Sequence, residues 1–142
     1  MVFVSITRLR LRSWRYAPFF FVQAIRSARQ AKGAAGSLGV TILREPGNIF
    51  WTRTVWDAES SMKAFMLSGA HRGVMHSLLE WCDEAAVAHW TQDSSEPPAW
   101  SEARAQLLRI GRASKVNHPS EAQRQYQIAE PRLTPGGEVR WK

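Results

Sequence analysis

The chain has 142 residues, a single cysteine and a formal charge of +7. That length suits one domain able to bury about two thirds of its unfolded surface without staples. The lone Cys82 excludes an internal disulfide framework and a thiol pair for zinc or redox work, which fits a reducing compartment, with the cytoplasm as the default.

Charge is unevenly spread: residues 1–32 carry seven basic groups and no acid, residues 33–111 six against nine, and residues 112–142 six against three. A basic end can attract nucleic acid, an anionic membrane or an acidic ligand. Its arginines alternate with apolar residues instead of forming a dense block, which argues against nucleic acid as the partner. The N-terminus reads as folded protein rather than a targeting peptide, because an apolar strand precedes Arg8, Arg10, Arg12 and Arg15 and the apolar run at residues 17–22 is broken by Gln23 and Arg26. No transmembrane segment is expected, since nothing approaches the roughly 18 apolar residues that a span requires.

In chain order, Val2, Val4 and Ile6 alternate with Phe3, Ser5 and Thr7, and the pattern continues through Leu9 and Leu11 with arginines opposite. This predicts a half-buried strand. From Pro18, the residues Phe21, Ala24, Ile25 and Ala28 recur at helical spacing, and Gly33 and Gly36 end the segment, which predicts a helix with proline in its first turn. Residues 38–44 alternate again, Glu45-Pro46-Gly47-Asn48 is a turn, and residues 49–56 are β-branched and aromatic, so a hairpin follows. Asp57 is the expected N-cap of the next helix, with Glu59 facing the positive end of its dipole and Met62, Phe65 and Met66 on the apolar side.

Ser68-Gly69-Ala70 interrupts that helix. Beyond it His71, Met75, Leu78 and Cys82 follow at steps of four, three and four, the expected apolar face, with Arg72, His76, Glu80 and Asp83 opposite. Residues 85–90 return to strand character, giving the β-α-β-β-α-β order of a ferredoxin-like α+β unit. A polar loop at 91–98 leads to a short predicted helix at 100–110 with Ala103, Leu107 and Ile110 on one side. Residues 112–142 mix Pro119, Pro131, Pro135 and Gly136-Gly137 with charges and are expected to be a basic, mobile tail. The reading is thus one α+β domain with an appended helix over residues 1–111 and a tail over 112–142. A four-stranded sheet with helices on one face leaves its other face to cover, and Trp51, Val55, Phe3 and Phe50 are poor solvent residues, so a homodimer is expected.

Motifs for nucleotide, serine-hydrolase and zinc chemistry (G-x-G-x-x-G, the Walker loop, G-x-S-x-G, H-E-x-x-H, C-x-x-C) are not found in the sequence. A cofactor-free oxygenase passes this screen, because its substrate is the electron source and the pocket need only deprotonate it, hold the anion and exclude water. His71 is the candidate proton acceptor, set beside a glycine break on the apolar side of its helix. Arg53, on the same strand face as Trp51 and Val55, is the candidate holder of an anion by a forked bond or, alternatively, an interface ion pair. Trp51, Trp56, Trp81 and Trp90 can cradle a flat aromatic substrate or simply fill the core. His89 faces away from Trp90 and reads as a core histidine, His76 as a surface residue, and Cys82 as an inert buried thiol.

The run TVWDAESSMKAFMLSGAHRGVM (residues 54–75), with a Trp closing the third strand and F-x-x-S-G-x-H in the helix after it, resembles the signature region of dimeric α/β-barrel proteins related to the antibiotic-biosynthesis monooxygenases. SITRLRLRSW, the later HW, P-P-x-W-S-E-A and GRASKVNHPS resemble an uncharacterised branch of that superfamily, with fainter similarity to spheroidene monooxygenase at the N-terminus. The resemblance spans residues 2–118. It implies a dimeric α/β barrel, a homodimer whose sheets meet face to face, with a pocket in each protomer between sheet and helices. The expected function is a monooxygenase-like protein binding a hydrophobic, aromatic or polyene small molecule, with His71 and Arg53 as catalytic residues and Trp51, Trp56, Phe65, Met75 and Trp90 against the substrate. No cofactor is expected. The alternatives are a haem-binding member with His71 or His76 on the iron, or a non-catalytic ligand-binding or interaction module.

Overall fold

The computed structural model describes residues 1–141, apart from the side chains of Ala70 and His71. Its elements are β1 (Val2–Leu11), a 3-10 turn (Trp14–Tyr16), α1 (Ala17–Gly33), β2 (Ser37–Glu45), β3 (Ile49–Trp56), α2 (Glu59–Met66), α3 (Gly69–Trp81), β4 (Cys82–Gln92), α4 (Trp100–Ile110), β5 (Arg112–Ala113), α5 (Glu121–Arg124) and β6 (Glu138–Trp141). The first strands and helices form the expected ferredoxin-like unit, its second helix split into α2 and α3. Among the described residues the sheet has the order β5-β4-β1-β3-β2-β6. β1 pairs antiparallel with β3 from Phe3↔Trp56 to Arg10↔Ile49, and with β4 from Val2↔Gln92 to Arg10↔Glu84, after which the register shifts. No helix among the described residues is long and apolar enough to cross a membrane.

The helix break is built on Gly69, whose φ of +57° disfavours any side chain. A Cβ there would also stand 2.7 Å from the Gln30 Oε1 of α1. Gln30 in turn donates to the Ser68 carbonyl at 2.8 Å, so the junction between α2 and α3 is fastened to α1. Asp57, the expected N-cap, instead accepts from the Ser61 hydroxyl at 2.6 Å, and Ala58 takes the cap position.

Strand alternation divides the core into two faces. On the helical face, Phe3, Val40 and Trp56 pack with Ala28 and Ala31 of α1 and Met62 and Phe65 of α2, while Leu9, Leu11, Phe50, Cys82 and Ala85 pack with Phe20 of α1. On the opposite face, Val4, Ile6, Leu43, Trp51, Val55, Ala86 and Ala88 are covered by Trp100, Ala103 and Leu107 of α4 and by Ile128. The residues expected to need a second copy are covered within the chain: Trp51 and Val55 are buried under α4, and Phe3 and Phe50 lie under the helices.

Of residues 112–142, read from the sequence as a mobile tail, residues 112–141 are described, and they are strapped across the α4 face. β5 pairs with β4 through Ala86↔Ala113 and Val87↔Arg112. Gln123 bonds the backbone of Ala85 in both directions, at 3.1 and 3.0 Å, and Tyr126 donates to the Leu107 carbonyl at 2.6 Å. β6 then pairs with β2 from Val40↔Trp141 to Leu43↔Glu138. The anchors are hydrogen bonds and isolated apolar groups, which leave no periodic signal in a Pro- and Gly-containing sequence.

Candidate functional site

The sequence-selected residues fall on both faces of the sheet. Trp56 and Phe65 meet on the helical face with ring centroids 5.4 Å apart. The Trp56 indole donates to the Thr54 hydroxyl at 2.8 Å, so its polar atom is already used. Trp51, Arg53 and Trp90 are on the α4 face: Trp51 donates to the buried Glu45 carboxylate, and Trp90 to Gln92 Oε1 at 3.0 Å.

Arg53 is sealed beneath the start of α4. It donates to the Pro98 carbonyl at 2.7 Å and to the Thr41 hydroxyl at 3.2 Å, and its guanidinium stacks on Trp100 at 4.3 Å. Burial pulls its pKa below the ordinary value; Glu138 opposes that pull and Arg140 adds to it. Such a group fastens α4 to the sheet through a backbone carbonyl and a cation–π contact. α3, which carries His71, packs on the other face, so the sheet lies between Arg53 and that helix. The His71 side chain itself lies outside the described residues.

Met75 is 41 % exposed, whereas Val74 is buried. The expected apolar face of α3 included Cys82 as a helical position, yet Cys82 is the first residue of β4, and the buried face follows Val74, Leu78 and Trp81 instead. His76 is exposed, as are Arg72, Gly73 and Met75 around it. An iron held by His76 would stand in solvent, so that surface does not fit haem. His89 faces the helices beside Phe3, 5.5 Å between rings, and burial lowers its pKa, with Arg112 adding to the effect. It is half-buried at the edge of the core rather than within it, and its charged form is disfavoured.

Cys82 is fully buried, and burial together with Asp83 pushes its thiol up to about 12. The thiolate, which is the reactive form, is therefore suppressed. Cys82 should stay unlabelled by a thiol reagent at pH 8 in the native protein and react at once in denaturant; fast native labelling would contradict this burial.

A groove that sequence reasoning did not assemble opens at the hairpin end of the layer between α1 and the sheet. It has a volume of about 650 Å³, with Trp14, Pro18, Phe21 and Phe50 as its apolar wall, the β2–β3 turn at one side and residues 134–137 at the other. Each part has a local cause. Pro18 sits in the first turn of α1, where its missing N–H costs nothing. Arg12 braces the 3-10 turn by donating to the Tyr16 hydroxyl at 2.8 Å. Gly137 accepts from the Arg44 N–H at 2.7 Å, and a Cβ at Gly137 would approach the Arg44 carbonyl to 2.8 Å. The run WRYAPFFF was the available signal for one wall; the far wall comes from the strap.

A second cavity, about 480 Å³, lies on the α4 face among Arg8, Arg10, Glu84, Ile128 and Arg132. Here Glu84 accepts from Arg8 at 2.8 Å, Arg10 at 3.0 Å and the Ser120 hydroxyl at 2.9 Å. Burial pushes its pKa up, but the bonds from Arg8, Ser120 and Arg10 outweigh that and hold it below the ordinary value. This cluster is an internal ion network that ties the strap to β1 and β4.

The same fold occurs in solved structures of low sequence identity. A conserved protein from Methanosarcina mazei Go1 superposes with a TM-score of 0.59 at 12 % identity, covering 66 % of this chain and 94 % of its own. A Nitrosomonas europaea protein provisionally assigned as an antibiotic biosynthesis monooxygenase gives 0.56 at 12 %, covering 64 % and 89 %. SnoaB from Streptomyces nogalater, a cofactor-independent oxygenase, gives 0.55 at 15 %, covering 66 % and 94 %. The shared part is about the size of the β1–β4 unit, and these structures are nearly fully covered by it. The fold is that of the antibiotic-biosynthesis-monooxygenase-like proteins. No curated protein matches the sequence significantly. The family model described as a domain of unknown function, DUF3291, matches residues 20–126, well over half of the chain, and the chain belongs to that family.

Proposed function

We propose that this protein binds a hydrophobic small molecule, aromatic or polyene, in the groove of Trp14, Pro18, Phe21 and Phe50. The observation that carries the reading is this apolar wall around about 650 Å³, a size and lining suited to a flat organic ligand. Trp56 and Phe65, by contrast, are committed to core packing, and Trp51 and Arg53 to holding α4.

The test is calorimetric titration with anthrone, a flat tricyclic probe. Trp14→Ala with Phe21→Ala should weaken binding at least about tenfold, near 1.4 kcal/mol, without lowering the melting temperature. Unchanged affinity would remove the groove as the site.

A second reading, turnover, is favoured by the likeness of the fold to SnoaB, a cofactor-independent oxygenase. In it the bound substrate loses a proton, its anion reduces dioxygen, and a methylene and dioxygen become a carbonyl and water. No residue of α3 lines the groove, and α3 starts against Gln30 at the far end of α1 from Pro18, so this reading does not use His71, the proton acceptor expected from the sequence, for a substrate bound there. Oxygen uptake with anthrone that is lost in Trp14→Ala with Phe21→Ala supports turnover in the groove, and binding with no uptake leaves a non-catalytic binding protein.

A further inference from the structure

The outward side of α1 is not the polar surface that a solvent-facing helix normally shows. Phe19, Val22, Arg26 and Arg29 of α1 follow one another at steps of three, four and three, the spacing of one helical stripe; Arg15 stands just before them in the 3-10 turn, and all five are exposed. Phe19 is 64 % and Val22 58 % exposed, and beside them Trp14 is 73 % and Phe21 44 % exposed. Arginines thus stand at both ends of an aromatic and aliphatic patch.

The segment that carries this patch bears charge of one sign. Residues 1–32 contain no acid. Arg8 and Arg10 are spent on Glu84, and Arg12 on Glu80, whereas Arg15, Arg26 and Arg29 enter no ion pair among the described residues. Two copies meeting on this stripe about a two-fold axis would bring these arginines together without a compensating carboxylate from the stripe. An anionic bilayer matches both properties, since its phosphates meet guanidinium groups while its interface accepts Trp and Phe.

We infer that the outward face of α1 is a peripheral docking surface for anionic lipid, with Phe19, Val22 and Trp14 entering the interface and Arg15, Arg26 and Arg29 contacting headgroup phosphates. The helix lies on the membrane rather than through it. This inference stands apart from the ligand reading, because Phe19, Val22 and Arg26 do not line the groove. The two are adjacent, however: Trp14 and Phe21 belong to both surfaces.

The experiment is co-sedimentation of the full chain with phosphatidylcholine vesicles, with and without about 30 % phosphatidylglycerol, at low and high salt. The expected result is sedimentation with the anionic vesicles only, weakening as salt rises. Arg26→Glu should lower partitioning by about 25-fold, two charge steps at roughly fivefold each. Phe19→Ala with Val22→Ala should lower it at least about tenfold through lost apolar insertion. These positions are exposed, so the variants should keep the wild-type melting temperature. No sedimentation with anionic vesicles, or equal sedimentation with neutral ones, overturns the proposal. So does a native mass of two chains that falls to one in Phe19→Ala, which would assign the face to a second copy.

Discussion

Glu84→Ala should destabilise the fold by about 3–5 kcal/mol, the range for removing one partner of a buried ion pair. Glu84 and Arg8 are both about 95 % buried and meet at 2.8 Å. Without the carboxylate, the Arg8 guanidinium keeps its desolvation cost and loses its counter-ion, and Ser120 and Arg10 lose an acceptor. Denaturant unfolding with an unchanged slope is the measurement, and a loss under about 1 kcal/mol would show that the network is not closed as described. The pH dependence follows from the same contacts. Because the folded-state pKa of Glu84 is held below the ordinary 4.5, its contribution is present above that value and is lost as pH falls through the lowered one. Asp83 has the opposite sign, since burial raises its pKa above 3.8 and its contribution is lost as pH rises. Glu84→Gln retains Asp83, so it should flatten the acid limb attributable to Glu84 alone.

Trp51→Ala should cost a further about 3–5 kcal/mol, as large-to-small changes at fully buried aromatics do. Trp51 is fully buried, lies edge-on to Trp100 at 6.2 Å and carries the Arg8 guanidinium over its ring at 5.8 Å. Its indole N–H also serves the buried Glu45 carboxylate, whose other oxygen accepts from the Arg132 N–H at 2.9 Å. Trp51→Phe keeps most of the volume and deletes only the donor, so it should cost about 1–3 kcal/mol, the penalty for leaving a buried acceptor short. In this second variant, which should fold, anthrone affinity should be unchanged. A selective loss of binding in Trp51→Phe would return Trp51 to the ligand site.

The strand faces were legible in the sequence because a period of two is unambiguous: Trp51, Arg53 and Val55 do share one face, and His89 does turn away from Trp90. The split helix was legible too, in Ser68-Gly69-Ala70. What alternation could not say is what covers each face. The apolar side of α4 was visible in Ala103 and Leu107, but its target was not, so an exposed sheet face was assigned to a second copy. Nor could spacing tell that Cys82 had left the helix for β4, and the face drawn through His71, Met75, Leu78 and Cys82 turned Met75 inward, whereas Val74 is the buried residue. The groove was the least legible feature. It joins the α1 entrance to Gly136 and Gly137, about 120 residues apart in sequence, and no local pattern reports such a closure.

The two short outer strands come late in the chain, β5 at residues 112–113 and β6 at residues 138–141. During synthesis, therefore, β1 to β4 can pair well before either rim of the sheet is finished. Until β6 follows, β2 presents unpaired N–H and C=O groups from Val40 to Leu43, an arrangement that invites strand recruitment from neighbouring chains. A nascent chain that has not yet made β6 thus keeps the β2 edge open to aggregation or to a chaperone.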